Sequence, residues 1–248
     1  MADNIAVAAE LILPMALRTL LAWALTPTLL VGAGTTPAAP VALSPAHEVA
    51  LSVNQARREF GLPPLKIEPR LALAAQSHAD DMAARGYFDH CAPEGHGPSE
   101  RAAESGYPAA IWENCALGHE DARDAVKAWL ESEGHRATLL SPSLREMGAG
   151  RSGRYWVLDC GARSGVYPIV IENDSPIVRS RRVALYLHGQ NRVNWVRLSN
   201  DGKNYSPWMP YQPEMEWELS EGAGPKTVYY QAYDGKIRTM VDEVYLSR

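Results

Sequence analysis

The sequence predicts an α+β protein, helices first and sheet after, followed by a small all-β sandwich. Three observations carry this prediction. Between His47 and Trp129, apolar residues recur at helical spacing. From Met147 to Cys160, two short strand-like runs are joined by Arg151-Ser152-Gly153-Arg154. Beyond Ser175 the period becomes two: Val183, Leu185 and Leu187 alternate with Ala184, Tyr186 and His188. Aromatic residues mark the same change, since ten of the twenty Tyr, Phe and Trp residues lie beyond Asp174.

The 248 residues are 46% apolar and 21% charged, with a net charge of −5, an ordinary globular composition with ample material for a core. Lys and Arg are scattered, which argues against a nucleic-acid partner. From Met15 a short basic start, an apolar stretch from Thr19 to Ala33, and small residues Val31 and Ala33 before a cut fit a secretory signal in residues 1–33. Asp3 and Glu10 put negative charge where a signal wants positive, so Met15 is the expected true start. Pro27 and the short apolar length count against a membrane span, and no transmembrane segment is expected once the signal is removed. The mature protein is then extracellular or periplasmic. Its three cysteines, Cys91, Cys115 and Cys160, allow at most one internal disulfide and leave one free thiol.

Residues 34–46, rich in Pro, Ala and Thr, read as a flexible lead-in. A helix is expected from about Pro45 to Phe60, with Val49, Val53 and Ala56 at helical spacing, ended by Gly61 and Pro63-Pro64. Leu65-Lys66-Ile67 reads as a short extended link. The next helix starts at Pro69, where a first-turn proline is tolerated, and closes at Gly86. Its inner stripe of Leu71, Ala74, Ala75 and Met82 includes His78, read as a buried histidine bonded to a backbone group. A Pro- and Gly-rich loop follows Phe88-Asp89-His90, then a short helix from Ser99 to Ser105. A helix with an acidic first turn at Asp121 carries Ala122, Ala125, Val126 and Trp129 inward. Gly134 is expected to end it, with His135 just beyond. In the tail, Asn200-Asp201-Gly202 and Asp234-Gly235 are turn signals between strand-like runs. Residues 47–168 and 175–248 are the two expected domains, the second bearing a charge of +2 from ten Lys/Arg and eight Asp/Glu.

Seven landmarks appear in order: His78 to Ala83, Phe88-Asp89-His90, Pro98 to Arg101, Gly106-Tyr107, Glu113-Asn114-Cys115-Ala116, Trp129 to Arg136, and Gly148 to Gly150. Together they resemble bacterial CAP (SCP-like) domains, relatives of cysteine-rich secretory, venom-antigen and plant pathogenesis-related proteins. The resemblance covers Glu48 to Gly161 and implies an α-β-α sandwich with an open cleft. It implies His90, Glu113 and His135 as cleft residues, beside Asn114. The second acid of many members falls here on Ser132, a departure shared by the bacterial branch, and Glu131 is rotated away by about 100°. Cys91 and Cys115 each follow closely on a cleft residue, which leans towards that pair as the bridge and leaves the pairing open. The tail more weakly resembles an immunoglobulin- or fibronectin-like module, where Tyr205, Trp208 and Tyr211 are candidates for glycan contact or for core.

Two imidazoles and a carboxylate, His90, His135 and Glu113, make a plausible divalent-ion set, with zinc favoured by ligand type. The alternative is a hydrogen-bonded buried trio, with Asn114 as a backbone staple and Arg136 as partner to a carboxylate. Neither Gly-x-Ser-x-Gly nor His-Glu-x-x-His occurs, so neither common hydrolase device is encoded. The expectation is a secreted binding protein rather than an enzyme, for which the resemblance suggests a lipid, glycan or other cell-envelope ligand. The competing reading is a metal-assisted hydrolase of peptide or cell-wall substrate, with Glu113 as general base.

Overall fold

The computed structural model describes residues 43–189 and 191–247. The expected signal, most of the lead-in and Met15 lie outside them. Helix α1 (Pro45–Glu59) starts at Ser44, whose hydroxyl accepts from the His47 N–H, with Pro45 in the first turn. Strand β1 (Lys66–Ile67) leads into α2 (Pro69–Arg85). Gly86 takes φ +71° there and returns its N–H to the Met82 carbonyl, a left-handed cap that glycine adopts without strain. Helix α3 (Pro98–Glu104) follows, the Glu100 carboxylate accepting from the N–H of Gly97.

Strand β2 (Ile111–Leu117) was not anticipated, because Glu113 and Asn114 are poor strand formers. Helix α4 (Ala122–Glu131) is capped by Asp121, which accepts from the Asp124 N–H. The expected single helix through Gly134 is in fact broken at Ser132, which is extended at φ −96° and ψ 124°. The Ser132 carbonyl restarts the ladder by accepting from Arg136, so His135 stands inside α5 (Glu133–Leu139) rather than beyond a helix end.

Strands β3 (Glu146–Ser152) and β4 (Tyr155–Gly161) form the expected hairpin. The sheet order is β1-β3-β4-β2, leaving β2 at an outer edge. Helix α2 covers one face. A Cβ on Gly148 would lie 2.0 Å from the Ala72 nitrogen, and one on Gly150 would lie 2.3 Å from Gln76. Both glycines are therefore required for the helix backbone to approach the sheet. On the opposite face Val49, Val53, Ala125, Val126, Trp129 and Leu139 bury Met147, Ala149, Trp156 and Leu158. The mixed helix and sheet content agrees with the expected α+β class.

Two further sheets follow. One has the order β10 (Glu214–Glu218), β7 (Arg182–Leu187), β5 (Ile169–Ile171). The other has the order β6 (Ile177–Val178), β12 (Ile237–Leu246), β11 (Gly224–Tyr233), β8 (Trp195–Ser199), β9 (Met209–Pro210). Ile169, Val183, Leu185 and Leu187 from the first share one buried cluster with Val196, Val228, Tyr230 and Val244 from the second. The strand β5 begins ahead of Ser175, so these sheets reach back to Ile169.

The described residues form one compact unit. The link between β5 and β6 bends through Glu172, Asn173 and Asp174, all at positive φ. Asp174 and Asp242 both pair with Lys66 of β1, while the Asn54 side chain of α1 donates to the Asn173 carbonyl at 3.0 Å. His188, past the end of β7, donates from Nε2 to the Pro64 carbonyl at 2.8 Å. No described helix is long and apolar enough to cross a membrane.

Candidate functional site

The β2 side chains alternate between the two faces of the sheet, and that alternation divides the expected site residues. Glu113 and Cys115 face α2, while Asn114 and Ala116 face α4 and α5. Glu113 is the centre. Its side chain is only 1% exposed, and both oxygens are engaged. Oε1 accepts from His90 Nδ1 at 2.8 Å, and Oε2 accepts from an Arg101 guanidinium nitrogen at 2.6 Å. Burial by itself would raise this carboxyl, but the His90 hydrogen bond and the Arg101 charge hold it below its ordinary value.

His90 lies on the loop between α2 and α3, its side chain half exposed. The Glu113 hydrogen bond raises its pKa against the opposing effect of burial. Arg101, almost fully buried in α3, also donates to the carbonyls of His90 and His96, so one guanidinium fixes both the loop and the carboxylate. Arg101 belongs to a sequence landmark, yet nothing local in the sequence pointed to its role.

His135 approaches from the other side of β2. Its carbonyl accepts from Asn114 Nδ2 at 3.0 Å, the backbone staple considered for that asparagine. Its ring forms no hydrogen bond with Glu113 or His90 among the described residues. Burial and the neighbouring His90 lower its pKa. Ser132 supplies the helix break that positions α5, and its hydroxyl caps nothing. Arg136 does not pair with a carboxylate as anticipated; its guanidinium lies 5.1 Å from the Phe60 ring centre, and Arg101 takes the carboxylate instead.

All three thiols are unbridged. Cys91 is exposed on the loop, whereas Cys115 points inward on β2, its sulfur 3.4 Å from Glu113 Oε1. The Cys91–Cys115 bridge towards which the sequence leaned is not formed. Burial, with Glu113 and Asp159 nearby, pushes the Cys115 thiol far above its usual range. Cys160 is buried on the opposite face among Met147, Leu158 and Leu144.

Two more groups complete the cluster. His78 is buried on α2 and donates from Nε2 to the Asp89 carbonyl at 2.9 Å, with Nε2 4.0 Å from Glu113 Oε1. Asp159 of β4 sits directly across the strand pair from Glu113 and is fully buried. No N–H or hydroxyl group donates to its oxygens, and the carboxyl is hydrogen-bonded with Glu113 instead. Burial, reinforced by the Glu113 charge, drives the Asp159 carboxyl well above the ordinary range. Among the described residues, three ligand-type side chains bring donor atoms within 4.8 Å of one another: His78, Glu113 and Cys115. The set anticipated for an ion, His90, Glu113 and His135, is not gathered to that degree.

Residues 52–159 match the family model for CAP, the cysteine-rich secretory protein family. The chain is 35% identical over 127 residues to the Bacillus subtilis "Uncharacterized protein YkwD", covering 49% of each chain. It is 32% identical over 105 residues to the "Uncharacterized membrane protein YlbC" of the same organism, covering 42% of this chain and 30% of that one. The chain therefore spans half or less of the length of either relative. A solved extracellular protein containing an SCP domain from Bacillus anthracis is 28% identical, with a TM-score of 0.44. That match covers 45% of this chain and 38% of the other.

Proposed function

We propose that the chain is a secreted, non-enzymatic binding protein whose CAP-domain cleft takes a lipid or other apolar cell-envelope ligand. The state of Glu113 carries this reading. A metal-assisted hydrolase needs that carboxylate as a general base with a free oxygen and an elevated pKa. Here Arg101 and His90 occupy both oxygens, and its pKa is held down. The grouping supports a rigid wall better than a proton shuttle.

The surroundings support an apolar ligand. Phe88, Trp112 and Leu117 are exposed by 48%, 50% and 43%, and two of them are on the edge strand β2. Phe88 lies 6.5 Å from the Tyr155 ring, and Tyr155 pairs with Leu117 in the strand register. Exposed apolar side chains on both faces of this edge strand, with Phe88 beside one of them, suit a ligand with an apolar body.

The donor set also suits a zinc ion at the cleft surface in a revised form. His90 commits Nδ1 to Glu113, which leaves Nε2 for an ion, and His135 supplies the second imidazole. Glu113 then orients His90 rather than ligating, an arrangement common around metal-bound histidines. Bound there, zinc would polarise a ligand oxygen. The helices on both faces of the first sheet support an α-β-α sandwich. The single core shared by the two later sheets supports an immunoglobulin-like sandwich, serving as spacer or adhesion element. Tyr211 is half-buried and donates to the Leu187 carbonyl, which suits core, whereas Trp208 is exposed and open to glycan.

The test is co-sedimentation of the purified protein with phospholipid vesicles and, separately, with isolated cell-wall sacculi. Binding to vesicles, weakened severalfold by Trp112→Ala, is expected. Failure to sediment with either, together with peptide or ester turnover abolished by Glu113→Gln, would overturn the reading.

A further inference from the structure

The outer face of the five-stranded sheet is rich in uncovered apolar side chains. Of the eleven exposed large apolar side chains among the described residues, six are here: Trp195, Trp208, Tyr233, Ile237, Val241 and Tyr245. The strand register sets them on one side. Trp195, Tyr233 and Ile237 stand abreast on β8, β11 and β12, with Tyr229 opposite Val241 and Pro225 opposite Tyr245 further along. The alternate residues Val196, Ala232 and Val244 point the other way, into the shared core. Trp208, just ahead of β9, joins the face by meeting Tyr233 at 6.4 Å between ring centres and 71° between planes. So many exposed apolar side chains on one sheet face mark a binding surface.

A polar row crosses this face. Arg197, Gln231 and Thr239 are cross-strand neighbours, one row from Trp195, Tyr233 and Ile237. Arg197 Nε donates to Gln231 Oε1 at 2.8 Å, and Gln231 Nε2 donates to Thr239 Oγ1 at 3.1 Å. The Arg197 guanidinium carbon lies 4.7 Å from the ring centres of both Tyr205 and Trp208, so two rings hold the cation in place. Its terminal nitrogens have no acid partner among the described residues. Glu243, the acid at the outward positions of these strands, stands two rows away beside Thr227.

We propose that this face binds an acidic polysaccharide, with sugar rings stacked on Trp195 and Tyr233 and a carboxylate paired with Arg197. The proposal deepens the adhesion role given above to the later sheets and rests on that reading, not on the cleft. A sugar ring has two kinds of surface. Its C–H faces lie against aromatic rings, and the hydroxyls on its rim need donors and acceptors alongside. An aromatic row beside a row of guanidinium, amide and hydroxyl matches that division. The free terminal nitrogens of Arg197 suit a carboxylate, which a guanidinium binds through paired hydrogen bonds. Other occupants match less well. A protein partner buries an apolar centre depleted of charge, whereas here the polar row divides the apolar side chains. An anionic membrane surface calls for several cations, and the outward positions of these strands carry only Arg197.

The full chain, fluorescently labelled, is applied to an array of acidic and neutral oligosaccharides, and the best-bound acidic glycan is then titrated by calorimetry. Retention on carboxylate-bearing glycans is expected, with Kd raised about tenfold or more by Trp195→Ala/Tyr233→Ala. Arg197→Gln should weaken the acidic glycan severalfold and bring it level with its carboxyl-reduced form. All three side chains are at the surface, so these variants fold. No retention, retention on neutral glycans alone, or binding that Trp195→Ala/Tyr233→Ala leaves unaltered overturns the proposal. Sedimentation velocity and vesicle co-sedimentation test the other occupants. A dimer dispersed by the same double substitution assigns the face to a second copy of the chain, and vesicle binding lost with it assigns the face to a membrane; either result overturns the proposal. Vesicle binding by wild type and Trp112→Ala reports the cleft separately, so either reading can fail without the other.

Discussion

Arg101 is the residue on which the cleft depends most. Its guanidinium donates to Glu113, to the His90 carbonyl and to the His96 carbonyl, while its own side chain is 8% exposed. Removing it leaves a carboxylate buried without its cation, the most damaging way to break a buried ion pair. Arg101→Ala should lower unfolding free energy by about 3–5 kcal/mol in urea denaturation at neutral pH. Adding Glu113→Gln should recover part of that loss, because the stranded charge is then gone. If the single variant is as stable as the wild type, Arg101 does not hold the site. The sequence showed Glu113 and His90 as neighbours through their motifs. It did not show Arg101, His78 or Asp159 beside them, since these approach from α3, α2 and β4.

At the scale of elements, the approach of α2 to the sheet rests on two glycines in alternation. Gly148 and Gly150 are on one side of β3, and between them Ala149 faces the other core. A Gly148→Ala methyl would meet the Ala72 nitrogen at 2.0 Å, against helix backbone that cannot swing aside. The cost should exceed about 4 kcal/mol, beyond the usual range for one substitution, and thermal melting will measure it. Gly153→Ala is the control. It has open space and a positive φ of 59°, so only the left-handed backbone penalty of about 1–2 kcal/mol applies. The helix spans of α1 and α2 were legible to within a residue or two, because proline, glycine and apolar spacing all agree. The break at Ser132 was not. Gly134 signals a helix end, yet the chain turns earlier and runs through that glycine in α5.

For the molecule as a whole, the CAP segment and the later sheets meet through a few buried polar contacts. His188 is one of them, and burial holds its pKa down to about 4 from an ordinary value of 6.5. The unfolded chain takes up this proton as pH falls through 6.5, while the folded protein does so only near 4. The stabilisation from the neutral ring is therefore complete above 6.5, is lost progressively as pH falls, and is gone below about 4. At 1.36 kcal/mol per pH unit this amounts to roughly 3 kcal/mol. Denaturation midpoints followed from pH 7 to pH 4 should fall more steeply for wild type than for His188→Gln. Parallel profiles would show that the ring is not buried neutral in this interface.

The sequence by itself determined the α+β class, the change to period-two texture near residue 175, and the motif-borne position of His90 and Glu113. These follow from local rules: spacing tells which face of an element is buried, and proline and glycine tell where it stops. Only the tertiary structure decided that β2 is a strand, that Cys115 turns inward unbridged, and that β5 belongs to the later sheets. It alone brought His78, Arg101 and Asp159 to Glu113. Periodicity specifies a face and carries no information about which distant element will cover it, so a cluster drawn from four elements is settled only when the sheet and its helices pack.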